Sequence, residues 1–187
     1  MTPSMSERRG NVGMICLITA EAAIFTIFVV AYLFYLGKSA SGPQPRDVLQ
    51  TPIFLTVCLL SSSITVHRGV KALTSGRVGA FTGWWLATLL LGAIFLAGTG
   101  VEWKRLITVD GLTISTNLFG TTYYSLVGLH AFHVTLGVFL LALSSLLALF
   151  GYVTPRHAGR SETFSLYWHF VDAVWVVVFL VVYVVGR

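Results

Sequence analysis

The sequence predicts an all-α integral membrane protein: a bundle of five transmembrane helices, N-terminus cytoplasmic and C-terminus external. Three observations carry that expectation. The chain is 56% hydrophobic and only 10% charged, against about 25% charged in an average soluble domain. Five apolar stretches approach or exceed the ~20 residues that a helix needs to cross the hydrocarbon core. The basic residues sit in the short connections, seven on one side (Arg8, Arg9, Arg68, Lys71, Arg77, Arg156, Arg160) and five on the other (Lys38, Arg46, Lys104, Arg105, Arg187). The positive-inside rule then sets the orientation.

Residues 1–12 are expected to form a polar tail and 13–187 a single transmembrane domain. Span one covers about 13–36. It is longer than the apolar core of a signal peptide and contains Glu21, so it reads as a retained helix, although Ser39, Ala40 and Ser41 resemble a cleavage site. A turn-rich segment with Gly42, Pro43 and Pro45 follows. Thr51 and Pro52 suit the N-cap and first position of span two, 52–73, whose end carries His67, Arg68 and Lys71 for snorkelling. Span three, 81–103, is entered through Trp84 and Trp85, which suit an interfacial belt. Span four, 119–150, is long enough that it must tilt or protrude. Span five, 165–186, ends the chain.

Net charge is +5, but the basic side chains flank apolar spans, where they anchor to lipid headgroups, so no nucleic-acid partner is implied. Cys16 and Cys58 both fall inside spans and imply neither a disulfide nor a metal site. Small residues (Gly92, Gly98, Gly100, Gly128, Gly137 and Ser61 to Ser63) allow close helix approach.

Ionisable residues inside spans are costly and mark packing or function. Glu21, His130, His133, His169 and Asp172 form the candidate intramembrane polar cluster; His169 and Asp172, three apart, share a helix face. Spans one, four and five packed together would bring Glu21, His133, His169 and Asp172 into one group. That group reads either as a clasp locking three helices or as a proton-handling site. His130 and His133 have a spacing that can chelate a metal, but no Cys or carboxylate beside them completes a shell. No catalytic, cofactor-binding or metal residue is assigned to the chain. Glu102, Trp103, Trp168 and Trp175 are candidates for an interface or lipid contact.

Taken together, motifs in all five spans resemble subunit III of haem–copper terminal oxidases (cytochrome c oxidase), in the five-helix bacterial form. Span one, GMICLITAEAAIF, places the family's membrane carboxylate on Glu21. Span two, TPIFLTVCLLSSS, resembles the TP…LLSSG segment, and LGAIFLAGTGVEW in span three puts the family Glu on Glu102. FGTTYYSLVGLHAFHV keeps both histidines, and YWHFVDAVW in span five matches the family motif without a change. Leu55, Thr99 and Ala131 depart from the pattern and point to a divergent branch.

The resemblance implies a non-catalytic subunit of a respiratory oxidase in a bacterial or archaeal cell membrane, stabilising subunit I, binding phospholipid and supporting proton uptake. Haem and copper are then expected in partner subunits. Subunit I is the main partner, with subunit II and further small subunits or a supercomplex beside it. Alternatives are subunit III of a quinol oxidase, a nitric oxide reductase accessory subunit, or a small proton-coupled transporter.

Overall fold

The computed structural model describes residues 5–39 and 41–186, with side chains from Gly10 onward. Residues 1–4 of the expected tail, Ala40 and Arg187 lie outside the described residues, as do the side chains of Arg8 and Arg9. The elements are α1 (Met5–Tyr35), a short α2 (Pro45–Val48), α3 (Ile53–Thr74), α4 (Val78–Thr108), α5 (Leu118–Leu149) and α6 (Ala158–Phe179). A single tight turn, Pro155–His157, leads into α6, and a π-helical segment, Leu180–Val185, continues it. Among the described residues, five helices are long and apolar enough to cross a membrane.

The helices run past the expected spans. α1 opens at Met5, inside the expected polar tail; α4 continues to Thr108; α6 begins at Ala158, ahead of residue 165. Polarity marks where a helix leaves the apolar slab, not where its backbone hydrogen bonding stops, because charged and polar residues with straight chains are good helix formers.

α3 and α4 form a tight hairpin closed by Gly76, whose φ of 76° needs a residue without a Cβ. This end of the bundle is called the turn end, and the opposite one, which carries α2, the loop end. α5 packs on α4, α6 lies across α3 and α5, and α1 stands on the outside against α5 and α6. At the loop end, Asn117 caps α5 by accepting from the Gly120 amide at 2.8 Å. Its Nδ2 donates to the carbonyls of Ser41 and Pro43 at 3.1 and 3.0 Å, so one side chain fixes both a helix start and the α1–α2 connection.

The centre of the bundle is the indole of Trp168, which is wholly buried. A Cβ on Gly137 would lie 2.6 Å from its ring and a Cβ on Gly92 3.0 Å from it. Those two glycines of α5 and α4 form the notch that admits it. Its Nε1 donates to Ser62 Oγ of α3 at 2.8 Å, so one residue of α6 is registered on three other helices. Trp175, two turns on, donates to Thr56 Oγ1 at 3.1 Å and receives the edge of Phe95. Both tryptophans were expected at an interface or lipid contact; each is interior instead, because its N–H has a partner on α3. Trp85 likewise turns inward, against Phe81 and Phe164, while Trp84 stays near the surface with Arg68 over its ring at 5.2 Å. Leu55, one of the departures from the family pattern, occupies the space a Cβ on Gly98 would need.

Membrane helices gain little from the hydrophobic effect once inserted, so close packing and interhelical hydrogen bonds carry their association. Gly137→Val is therefore expected to lower the thermal unfolding midpoint in detergent, by an overpacking cost of about 1–3 kcal/mol. Gly128→Ala, whose added carbon would meet Trp103 at an ordinary 3.6 Å, is expected to stay within about 0.5 kcal/mol of the parent. Equal midpoints for the two variants would show that the Trp168 notch is not tight.

Candidate functional site

The intramembrane polar side chains form two separate groups on opposite sides of α6. The first joins α1 to α5. His133 Nδ1 donates to the Leu129 carbonyl at 2.8 Å, one turn back on α5, since a carbonyl oxygen only accepts. That bond fixes the ring and aims Nε2 at Glu21 Oε2, 3.1 Å away. The Glu21–His133 hydrogen bond ties α1 to α5. The His133 side chain is 7% exposed and that of Glu21 22%. Phe25, a turn along α1 from Glu21, covers the imidazole at 5.2 Å, and the Tyr167 hydroxyl of α6 donates to the His133 carbonyl at 3.0 Å.

The second group joins α3 to α6. The Ser63 hydroxyl donates to Asp172 Oδ2, and Ser63 Oγ lies 2.9 Å from His169 Nδ1. A serine has one hydrogen to give. With that hydrogen on Asp172, the Ser63 oxygen can only accept from the ring, so Nδ1 carries the imidazole hydrogen and Nε2 is a bare acceptor. Asp172 Oδ1 is buried without a hydrogen-bond partner among the described residues.

The single cluster of Glu21, His133, His169 and Asp172 expected from the sequence is thus not assembled. The reason is helical geometry. At about 100° per residue, Ser165, Trp168, His169 and Asp172 share the side of α6 facing α3, whereas Tyr167, Phe170 and Val174 lie on the side facing α1 and α5. The partner of His169 and Asp172 is Ser63, which sequence reasoning grouped with the small packing residues. A usable signal was present: Ser63 and His67 stand four apart on one face of α3.

His130 belongs to neither group. It is fully buried between the rings of Trp175, Phe95 and Phe25, with centroids at 5.0, 5.8 and 6.5 Å. Neither of its ring nitrogens has a hydrogen-bond partner among the described residues. His130 and His133 therefore do not act as a chelating pair in this arrangement: His133 is engaged through both nitrogens and His130 is enclosed by aromatic faces. Among the described residues no three His, Cys, Asp or Glu side chains converge.

Glu102 stands apart, near the loop end. It lines a cavity of about 230 Å³ with Gln50, Leu55 and Arg105, and its carboxyl lies against the Tyr183 hydroxyl, itself 3.4 Å from that of Tyr123. Trp103 beside it is half-buried and meets Tyr124 edge-on at 5.5 Å. Arg105 is tied down by the Val48 carbonyl at 2.6 Å and by Asp110 at 3.9 Å.

Comparison with known proteins agrees with this architecture. The family model for cytochrome c oxidase subunit III matches residues 4–187. The chain is 35% identical over 179 residues to cytochrome c oxidase subunit 3 of Synechocystis, covering 91% of this chain and 73% of that one. It is 34% identical to the probable cytochrome c oxidase subunit 3 of Mycobacterium leprae, covering 92% and 86%. To the cytochrome c oxidase subunit 3 of Neurospora crassa it is 35% identical, covering 98% and 70%. With five spanning helices, motifs in each and matches along nearly its whole length, this multi-pass bacterial membrane protein belongs to the cytochrome c oxidase subunit III family and is part of an oxidase complex.

Proposed function

We propose that the chain is the non-catalytic subunit III of a cytochrome c:oxygen-type haem–copper oxidase, bracing subunit I, holding phospholipid and supporting proton uptake. The observation that carries this reading is how the intramembrane polar groups are used. Glu21 with His133, and Asp172 with His169 and Ser63, are spent on joining helices to one another, while the outer face of α1 is left apolar and exposed through Ile15, Ile27, Val30 and Phe34. A chain so internally braced presents a rigid apolar wall to a partner or to lipid. The redox metals belong to subunits I and II. The names of the relatives favour cytochrome c over quinol as electron donor.

Two grooves suit phospholipid. One, about 210 Å³, runs between α1 and α6 over Phe25, Val29, Val174 and Val178 and fits an acyl chain. The other, about 260 Å³, lies at the turn end, with Leu140, Leu147 and Phe164 below and His157, Arg160 and Tyr152 at its rim, where a phosphate would bind. Under the positive-inside rule, the excess of basic residues at the turn end supports a cytoplasmic turn end. A transporter would favour helices broken near mid-membrane, whereas α1, α3, α4, α5 and α6 run without interruption.

Mild-detergent purification through a tag on this chain is expected to bring down larger subunits whose absorption spectrum contains haem. The chain alone is expected to be colourless, and a haem Soret band from the isolated chain would overturn the proposal. Asp172→Ala and His169→Ala are expected to reduce co-purification or retained lipid phosphorus while leaving the haem spectrum of the assembled fraction unchanged. Normal assembly with an altered spectrum would contradict a bracing role. For the other pair, unfolding midpoints in the complex should order as parent, then Glu21→Gln, then Glu21→Ala. Gln keeps a donor for His133 Nε2, whereas Ala leaves a buried imidazole nitrogen unpaired at a cost of about 1–3 kcal/mol.

A further inference from the structure

The α3–α6 group contains a directional chain of hydrogen bonds that helix bracing does not require. Read from the inside outward, the buried carboxylate of Asp172 accepts from Ser63, whose oxygen accepts from His169 Nδ1. His169 is partly exposed, and its Nε2 has no partner among the described residues. One end of the chain is thus a closed carboxylate and the other an open imidazole lone pair, with a hydroxyl between them that can accept one proton while releasing another. A clasp alone would be served by a direct Ser–Asp bond.

We propose that His169, Ser63 and Asp172 form a proton relay, in which His169 Nε2 takes up a proton at the membrane-facing surface of the α3–α6 seam and Asp172 stores it. A hydronium ion reaching the seam supplies the proton and leaves as water. The N–H bond at Nε2 forms as the Nδ1–H bond breaks, and that hydrogen passes to Ser63 Oγ. The original Ser63 hydroxyl hydrogen moves to Asp172 Oδ2. One proton enters: the imidazole ends neutral as its other tautomer, the serine is again a hydroxyl, and the carboxylate becomes a carboxylic acid. Uptake and release both require the ring and the hydroxyl to reset.

The surroundings suit this use. His67 is exposed on the same face of α3, one turn nearer the turn end; Lys71, a further turn on, is exposed beyond it. Together with Ser63 they make a polar stripe with a four-residue step, leading from the end of α3 inward. On the other sides of α6, Glu21 and His133 from α1 and α5 are paired with each other, and from α4 Thr88 bonds Thr65. Asp172 Oδ1 is buried without a donor among the described residues, and its other oxygen is joined to the seam through Ser63.

This inference rests on the proton-uptake part of the proposed function, and its test separates the two. In the intact oxidase complex, time-resolved infrared spectroscopy after a pH jump follows the carboxylic C=O stretch that Asp172→Asn removes. Ser63→Ala, which deletes only the hydroxyl, and His169→Gln, which cannot carry an added proton, are each expected to slow the appearance of that band by about tenfold or more. Ser63→Thr is expected to restore the parent rate. Parent rates in both Ser63→Ala and His169→Gln, or no band assignable to Asp172, would overturn the relay even where the complex assembles with its normal haem spectrum. A chain that co-purifies with no haem-bearing subunit overturns the proposed function instead.

Discussion

The bundle depends on the seating of one side chain. Trp168 enters a notch that exists only because α4 and α5 present Gly92 and Gly137 to it, and its N–H is taken by Ser62 of α3. An indole brings a large apolar body and one obligate donor, so its position is determined both by shape and by a hydrogen bond. Rotating α6 by one residue would put Trp168 into backbone and leave its N–H unpaired inside the bundle. With α6 so registered, Trp175 meets Thr56, and His169 and Asp172 meet Ser63. The polar pairs are thus consequences of a packing decision made by two glycines.

The same registration explains why α1 is held differently from the other helices. α1 stands outside, and only Phe25 and Tyr32 of its apolar residues are buried among those described. With so little close packing, it is tied by the Glu21–His133 pair and by Thr163 of α6 donating to Asn11 at 2.6 Å. In a medium as apolar as leucine, exposure of the remaining face carries no hydrophobic penalty. The polar bond therefore supplies specificity, setting which face of α1 meets α5, where apolar contacts alone would permit rotation.

Much of this was legible in the chain. Helix number, the approximate spans and the family motifs follow from hydropathy and from residues that recur in order. The Glu21–His133 contact was within reach, because both lie well inside adjacent apolar segments. The partner of Asp172 was not. A serine among three consecutive serines, Ser61 to Ser63, carries no mark of which one faces α6, and that choice is made by Trp168 several ångströms away. Nor does composition reveal that His130 is surrounded by aromatic rings, since Phe25, Phe95 and Trp175 come from three helices. The tryptophans read as interfacial for a related reason: a Trp near the end of an apolar run and a Trp in a glycine notch look alike until the opposing helices are in place.

His130 shows how far the polar groups differ despite their similar cost. All sit in spans where an ionised side chain is expensive. Glu21 and His133 meet that cost by hydrogen bonding to each other across two helices, and Asp172 meets half of it through Ser63. His130 has no hydrogen bond among the described residues; three rings surround it, and π-electron density near an imidazole N–H is a weak but real acceptor. A methyl-sized or aliphatic residue there would lose the planar fit against Trp175, which lies at 30° to the imidazole ring. From α5 it lies between Phe95 of α4 and Phe25 of α1, meeting rings from both flanks of the bundle. It therefore joins Trp175 of α6 and Phe95 of α4 to Phe25 of the peripheral α1, whose ring also lies against His133.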